Sequence, residues 1–450
     1  MTNKICQDVA AVPFLWVLPL SLYLLSFVIC FHDRRWYVRP VFLSGFMLSM
    51  VGAVLASRYQ RRLPAIELIA IHSTMLFLCC MVCHGEAYRL RPQPRYLTGY
   101  YLMIALGGAA GGVIVAIIAP LIFKTYMEFN IGMAGCCLLA FLADKTPALR
   151  RGRRRWVYAA VVATLAILVA IFPTAPPPYR SGDRLVTRTR NFFGVATVWE
   201  RSPNDPGSHR YILEHGTTIH GLQLVNPAAR RVPTAYYGVN SGVGMAVREV
   251  LQGGSRRIGV VGLGVGTIAA YGRPGDAVRF YEINPAIERL ARSLFSYLAE
   301  SLATVDVVMG DARLSLETEP PQNFDILVLD AFSSDSVPVH LLTREAFELY
   351  LRHLRPDGII AVHVSARHVD LGSVAIMLGN HMRLKSAWIH DEGDQASVTL
   401  MSDWVLLSRN ESFMYSDAVR RRSGSPLRDY ARVGVWTDDR VNLFKALSWP

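Results

Sequence analysis

The sequence predicts two architectures in one chain: a multi-pass α-helical membrane domain over residues 1–175, then an α/β domain of doubly wound Rossmann type with a small β-subdomain in front of it. Three observations carry this expectation. Apolar runs long enough to cross a bilayer recur only before Pro176, and Pro173, Pro176, Pro177 and Pro178 then interrupt any helix. From Arg257 onward, strand-like apolar runs alternate with helical patterns, which is the pattern of a mostly parallel sheet covered on both faces.

Bulk composition supports the division. At 450 residues the chain exceeds one ordinary core, and its hydrophobic content of 52% against 18% charged residues is high for a soluble protein. The net charge of +12 comes largely from basic residues in short loops between apolar runs, such as Arg150, Arg151, Arg153, Arg154 and Arg155. Such clusters anchor helix ends at anionic headgroups, and no recognition motif accompanies them, so nucleic-acid binding is not expected.

A helix needs about 20 mostly apolar residues to span the hydrocarbon core. Six candidate spans meet this, at 13–31, 38–57, 64–83, 99–123, 126–143 and 156–172. In the fourth, Gly107, Gly108, Gly111 and Gly112 form a smooth strip that would let a neighbouring helix approach closely. Glu86 falls near a span end, where a solvated acid is expected. All seven cysteines lie in this half. Cys80 and Cys83 have CxxC spacing inside an apolar helix without partner ligands, so they read as packing residues, and no metal is expected.

The prolines after Phe172 favour a stiff extended spacer. Residues 176–252 therefore hold the linker, a small β-subdomain with strands at 193–200, 210–214 and 217–225, and a following helix. Residues 253–450 form the Rossmann-like domain, with strands at 258–261, 278–282, 305–309, 325–330 and 359–364 and helices such as 285–298 and 343–354. Ligands of such a sheet sit at the carboxyl ends of its strands.

The chemistry-bearing residues fall there. Gly262, Gly264 and Gly266 follow the first strand and open a helix at Thr267, so backbone amides can approach a ligand without intervening side chains. Glu282 ends the second strand, where a carboxylate can accept from both ribose hydroxyls of a nucleoside. Asp311 follows the third strand, placed to accept from an adenine amino group, and Asp330 closes the fourth. The glycines run GxGxG and an acid follows the third strand as well, which is the spacing of an α/β methyltransferase-like Rossmann domain. His340 and His363 lie near the ligand edge, and His363, inside a strand, reads as structural.

The runs 262–267, 281–284, 310–312 and 330–335 resemble the ordered motifs of spermidine synthases. With 13–31, 84–101, 215–223, 338–346 and 436–439, the chain is similar to the bacterial membrane-fused spermidine synthase-like proteins. The resemblance implies an aminopropyltransferase that moves an aminopropyl group from decarboxylated S-adenosylmethionine to a polyamine such as putrescine. It implies Asp330 and Asp335 as catalytic acids, Glu282 on the ribose, and Asp311 with Ala312 on the adenine. His220, Gln223 and Tyr237 fall in the region of the family's amine contacts.

Spermidine synthases usually carry an acid inside the glycine loop where this chain has Val265, and their two catalytic acids stand closer together than Asp330 and Asp335. Two alternatives follow: a methyltransferase using S-adenosylmethionine itself, and a polyamine- or nucleoside-sensing transporter without turnover. The partners expected are the lipid bilayer and a small polyamine, with a homo-oligomer as an option. With six spans, the basic loops lie opposite the C-terminal domain and argue for placing it outside. The cytosolic origin of the nucleoside argues the other way. The expectation adopted is a multi-pass protein of a bacterial inner membrane with its C-terminal domain in the cytoplasm.

Overall fold

The computed structural model describes residue 2 and residues 13–59, 63–143, 182–216, 218–249, 254–332, 338–366, 369–424 and 430–447. The sixth expected span, the basic cluster before it and the proline spacer lie outside the described residues. The chain forms two compact units, Met1–Tyr179 with Thr189–Val195 and Arg180–Arg188 with Ala196–Pro450.

The first unit is helical. Its helices are α1 (Val17–His32), α2 (Arg39–Arg58), α3 (Ala65–Arg89), α4 (Leu97–Val113), α5 (Ala119–Ile122) and α6 (Met127–Leu142). A π-helical turn, Ile114–Ile118, joins α4 to α5. Pro120 in the next turn lacks an N–H and would crowd a regular i−4 carbonyl, and the wider turn relieves that. Three stretches, Arg39–Ser57, Ile66–Arg89 and Pro94–Ile122, are long and apolar enough to cross a membrane, while Val17–His32 and Met127–Ala140 are shorter apolar helices. Phe46 and Met50 of α2, Met75 and Val82 of α3, and Met133 and Cys137 of α6 form the unit's main core.

A Cβ built on Gly107, Gly108, Gly111 or Gly112 meets nothing within 4 Å, so no described residue covers the smooth strip, and the sixth expected span lies outside the described residues. One expectation fails in this unit. Glu86 is buried rather than solvated, because it accepts from Tyr37 Oη at 2.9 Å, from Arg39 Nε at 2.8 Å and from Arg89. Two guanidiniums offset the cost of burying its charge. Gly85 makes room for this arrangement, since a Cβ there would lie 2.3 Å from the Tyr37 ring. Gly85→Leu is therefore expected to push Tyr37 off Glu86 and to lower the melting temperature of the detergent-solubilised chain, read by tryptophan fluorescence.

The β-subdomain is a four-stranded sheet in the order β1-β2-β3-β4, of which Thr189–Val195 group with the first unit and the rest with the second. Its strands are β1 (Arg184–Asn191), β2 (Gly194–Arg201), β3 (Arg210–His215) and β4 (Thr218–Leu224). The first of these has no counterpart in the sequence reading. Helix α7 (Gly242–Glu249) then leads into an eight-stranded sheet.

That sheet contains β5 (Arg257–Val261), β6 (Ala277–Glu282), β7 (Thr304–Met309), β8 (Phe324–Leu329), β9 (Leu354–His363), β10 (Lys385–Asp391), β11 (Ser402–Ser408) and β12 (Ser423–Gly424). Their order is β12-β10-β11-β9-β8-β5-β6-β7. The five strands from β9 to β7 are parallel, as expected. Strands β11 and β10 extend the sheet antiparallel and were not read from the sequence. Strand order reverses between β5 and β8, where a doubly wound sheet opens its ligand crevice.

The α-helix expected at Thr267 is a single 3-10 turn, Thr267–Tyr271. Gly272, Pro274 and Gly275 follow it, and a proline and two glycines cannot prolong a helix. The helix expected at 285–298 is α8 (Pro285–Leu294), which stops before Phe295, and that expected at 343–354 is α10 (Arg344–His353), while α9 (Ala312–Thr318) lies between β7 and β8.

Candidate active site

The glycine loop packs too tightly for side chains. Gly262 has φ +99°, and a Cβ there would lie 2.4 Å from the carbonyl oxygen of Asp330 across the β5–β8 boundary. Gly264, at φ +53°, is similarly close to the His220 carbonyl, at 2.8 Å. Val265 points inward, buried, and fills the space above Gly221 of β4, where a Cβ would come within 2.5 Å of its methyl group. The position where the resemblance would put an acid is thus an apolar packing position.

Glu282 is buried at the end of β6. One of its oxygens accepts from the Leu263 N–H at 3.0 Å and the other from the Asn284 N–H at 2.7 Å. Burial raises its pKa, and the backbone donors oppose the rise. Because each carboxylate oxygen can accept more than once, the group stays available to hydroxyl donors. Asp311 caps α9 by accepting from the Leu314 N–H at 3.0 Å, and its other oxygen lies 2.9 Å from His340 Nε2. Ala312 is buried behind it. Nearby, Arg313 holds Asp438 in a bidentate pair that lowers the Asp438 pKa to about 2.

Asp330 follows β8 at the switch point. Its Oδ1 lies 2.6 Å from Nδ1 of His363, and its Oδ2 accepts from the Tyr237 hydroxyl. His363 and Trp404 are cross-strand partners on β9 and β11, and their rings stack with centroids 4.4 Å apart at 10°. Phe332 meets the imidazole edge at 4.9 Å, so the ring is held on several sides. With Nδ1 protonated and donating to Asp330, Nε2 becomes the acceptor. Among the described residues no protein group meets Nε2 of His363, and Nε2 of His220 is likewise buried without a partner. Tyr237 is buried with its hydroxyl on a carboxylate, and both burial and Asp330 raise its pKa well above the usual range, so it acts as a donor.

Burial, reinforced by His215 and His363, pushes the His220 pKa down to about 3. A folded-state value below the ordinary 6.5 means that the unfolded chain takes up a proton first. The stability His220 contributes is therefore complete above pH 6.5 and is lost as pH falls toward 3, at up to about 1.4 kcal/mol per pH unit. Urea unfolding of the wild type between pH 7 and 4 is expected to show a steeper loss than that of His220→Asn.

The site residues read from the sequence are thus distributed unevenly. Gly262, Gly264, Gly266, Glu282 and Asp330 gather at the switch point, with Asp311 and Ala312 at the next strand end, and Tyr237 and His220 approach from the β-subdomain side. Gln223 is engaged elsewhere: its amide donates to the Arg230 carbonyl and Ser296 Oγ and accepts from the Ser296 N–H. Asp335 lies outside the described residues. His363, read as structural, joins the switch-point residues from the end of β9, with its Nδ1 on the Asp330 carboxylate.

No family model matches the chain. A polyamine aminopropyltransferase of Vibrio vulnificus is 29% identical over 210 residues, covering 44% of this chain and 66% of that protein. The chain is similar to the polyamine aminopropyltransferases. A second relative, an N-terminal histidine N-methyltransferase of Emericella nidulans, is 28% identical over 120 residues, 26% of this chain and 21% of that one. The chain therefore spans just under two thirds of the aminopropyltransferase and about a fifth of the methyltransferase. Among solved structures, a probable spermidine synthase from Corynebacterium glutamicum aligns with a TM-score of 0.40 and 18% identity over 54% of this chain and 85% of that chain. Spermidine synthase from Thermotoga maritima aligns with a TM-score of 0.39 and 11% identity over 59% and 85%.

Proposed function

We propose that the chain is a membrane-bound aminopropyltransferase that joins an aminopropyl group from decarboxylated S-adenosylmethionine to a small polyamine. The observation that carries this reading is Asp330 at the sheet's switch point, paired on one side with His363 and on the other with Tyr237. The apolar helices support placement in a bilayer, and the cytosolic origin of the nucleoside supports a cytoplasmic α/β domain.

The residues present fit a nucleoside. Gly262, Gly264 and Gly266 put side-chain-free backbone beside the switch point, and Glu282 is fixed by two backbone amides with acceptor capacity to spare for ribose hydroxyls. Asp311 and Ala312 suit the adenine, with His340 as the competing partner of the Asp311 carboxylate. When bound, the sulfonium supplies an electrophilic methylene carbon and a neutral thioether as leaving group. The acceptor amine forms the new C–N bond and must lose one proton. Asp330 holds the His363 Nδ1–H, so Nε2 of His363 takes that proton and the carboxylate stabilises the resulting imidazolium. Tyr237 fixes the second oxygen of Asp330 and prevents it from rotating. His220, kept neutral, presents an uncharged ring with Nε2 unpartnered among the described residues.

Val265 favours a second reading. With a buried valine in the glycine loop, nothing there repels the carboxylate of intact S-adenosylmethionine, as a methyltransferase requires. Incubating the full chain in detergent with putrescine and each co-substrate separates the two, with the released nucleoside identified by chromatography. Methylthioadenosine supports aminopropyl transfer. S-adenosylhomocysteine supports methyl transfer, and neither product would leave a binding protein.

A further inference from the structure

The helical unit brings together three thiols that the reading above does not use. Cys79 and Cys83 stand one helical turn apart on α3 and so share a face, and Cys136 reaches them from α6. Their sulfur atoms all lie within 4.8 Å of one another, with Cys83 Sγ and Cys136 Sγ 3.5 Å apart. All three are free thiols. The CxxC pair Cys80 and Cys83 is not the unit that forms; the i,i+4 pair is.

We propose that Cys79, Cys83 and Cys136 form a binding site for a soft monovalent cation of the Cu(I) class. The size fits, because metal–sulfur bonds of about 2.3 Å in a trigonal plane place the donors about 4 Å apart. The donor set is all sulfur, which selects soft ions over magnesium, calcium or manganese. Structural zinc wants four ligands, and among the described residues no fourth cysteine, histidine or acid joins the group. The surrounding helices continue the chemistry: Cys137 Sγ, next to Cys136, lies 3.7 Å from Met50 Sδ and 3.9 Å from Met47 Sδ. Each coordinating thiol gives up its proton to solvent as its sulfur–metal bond forms, so three S–H bonds are replaced by three S–metal bonds, three protons leave, and the ion offsets one of the three thiolate charges.

The test uses the full chain, purified anaerobically in detergent and titrated with Cu(I) held by the chromogenic chelator bicinchoninate. One equivalent should pass to the wild-type protein. Cys83→Ser and Cys136→Ser should each weaken uptake at least tenfold, while Cys80→Ser, a neighbour outside the cluster, should match the wild type. A measurement on wild type alone guards against variants that misfold: Cu(I) should slow alkylation of the exposed Cys83 by N-ethylmaleimide at least tenfold, read by peptide mass spectrometry. The proposal is overturned if the wild type takes no Cu(I) from the chelator, if Cys83→Ser and Cys136→Ser bind as well as wild type, or if Cu(I) leaves Cys83 alkylation unchanged.

Discussion

Asp330→Asn is expected to lower turnover by roughly 10²- to 10⁴-fold, the range that removal of a positioned acid–base group produces, while nucleoside affinity changes little. The reason is geometric. An asparagine amide can still meet Tyr237, but it presents no charge to hold the His363 Nδ1–H, so the ring loses the tautomer in which Nε2 accepts a proton and the imidazolium loses its counter-charge. Steady-state kinetics with putrescine, beside equilibrium binding of methylthioadenosine, separates the two effects. His363→Gln should behave similarly, because it also removes the proton acceptor while leaving the Glu282 end intact. If Asp330→Asn kept wild-type turnover, the assignment of the pair as the base would be wrong.

Gly262→Ala is expected to act through the fold. The residue has φ +99°, where L side chains are strained, and a Cβ would sit 2.4 Å from the Asp330 carbonyl oxygen. That neighbour is backbone and cannot swing away. Strain of this kind costs about 1–3 kcal/mol, and separating β5 from β8 adds to it by disturbing the Asp330 N–H bond to Val261 O at 2.9 Å. Denaturant unfolding should show a loss of about 2–4 kcal/mol. Nucleoside binding should weaken as well, since the same loop lines the crevice. Gly264→Ala should cost less, because its φ of +53° is the left-handed region that alanine reaches for about 1–2 kcal/mol.

Much of this was legible in the sequence, for identifiable reasons. Buried parallel strands announce themselves as short apolar runs, and β5, β6, β7 and β8 each end within one residue of the segment read for them. Acids that follow such strands are fixed in space once the sheet is known, so Glu282, Asp311 and Asp330 could be named in advance. Contacts between distant strands could not. The partnership of His363 with Asp330 depends on β9 pairing with β8, and the stack on Trp404 depends on β11 lying antiparallel beyond it. No local pattern around Trp404 reveals that register. The thiol cluster was hidden for the same reason: Cys136 is far from Cys79 in sequence, and only the packing of α6 on α3 brings them together. Glu86 was misread because its partners, Tyr37 and Arg39, belong to another segment.

Transfer of a carbon chain from a sulfonium to an amine at the Asp330–His363 pair is read most directly by supplying the full chain with putrescine and decarboxylated S-adenosylmethionine carrying ¹³C in the aminopropyl group, and weighing the polyamine formed. The label is expected in spermidine, one aminopropyl unit per methylthioadenosine released, and Asp330→Asn is expected to abolish this transfer. Putrescine recovered unlabelled, with the wild-type chain shown to bind the nucleoside, would contradict it.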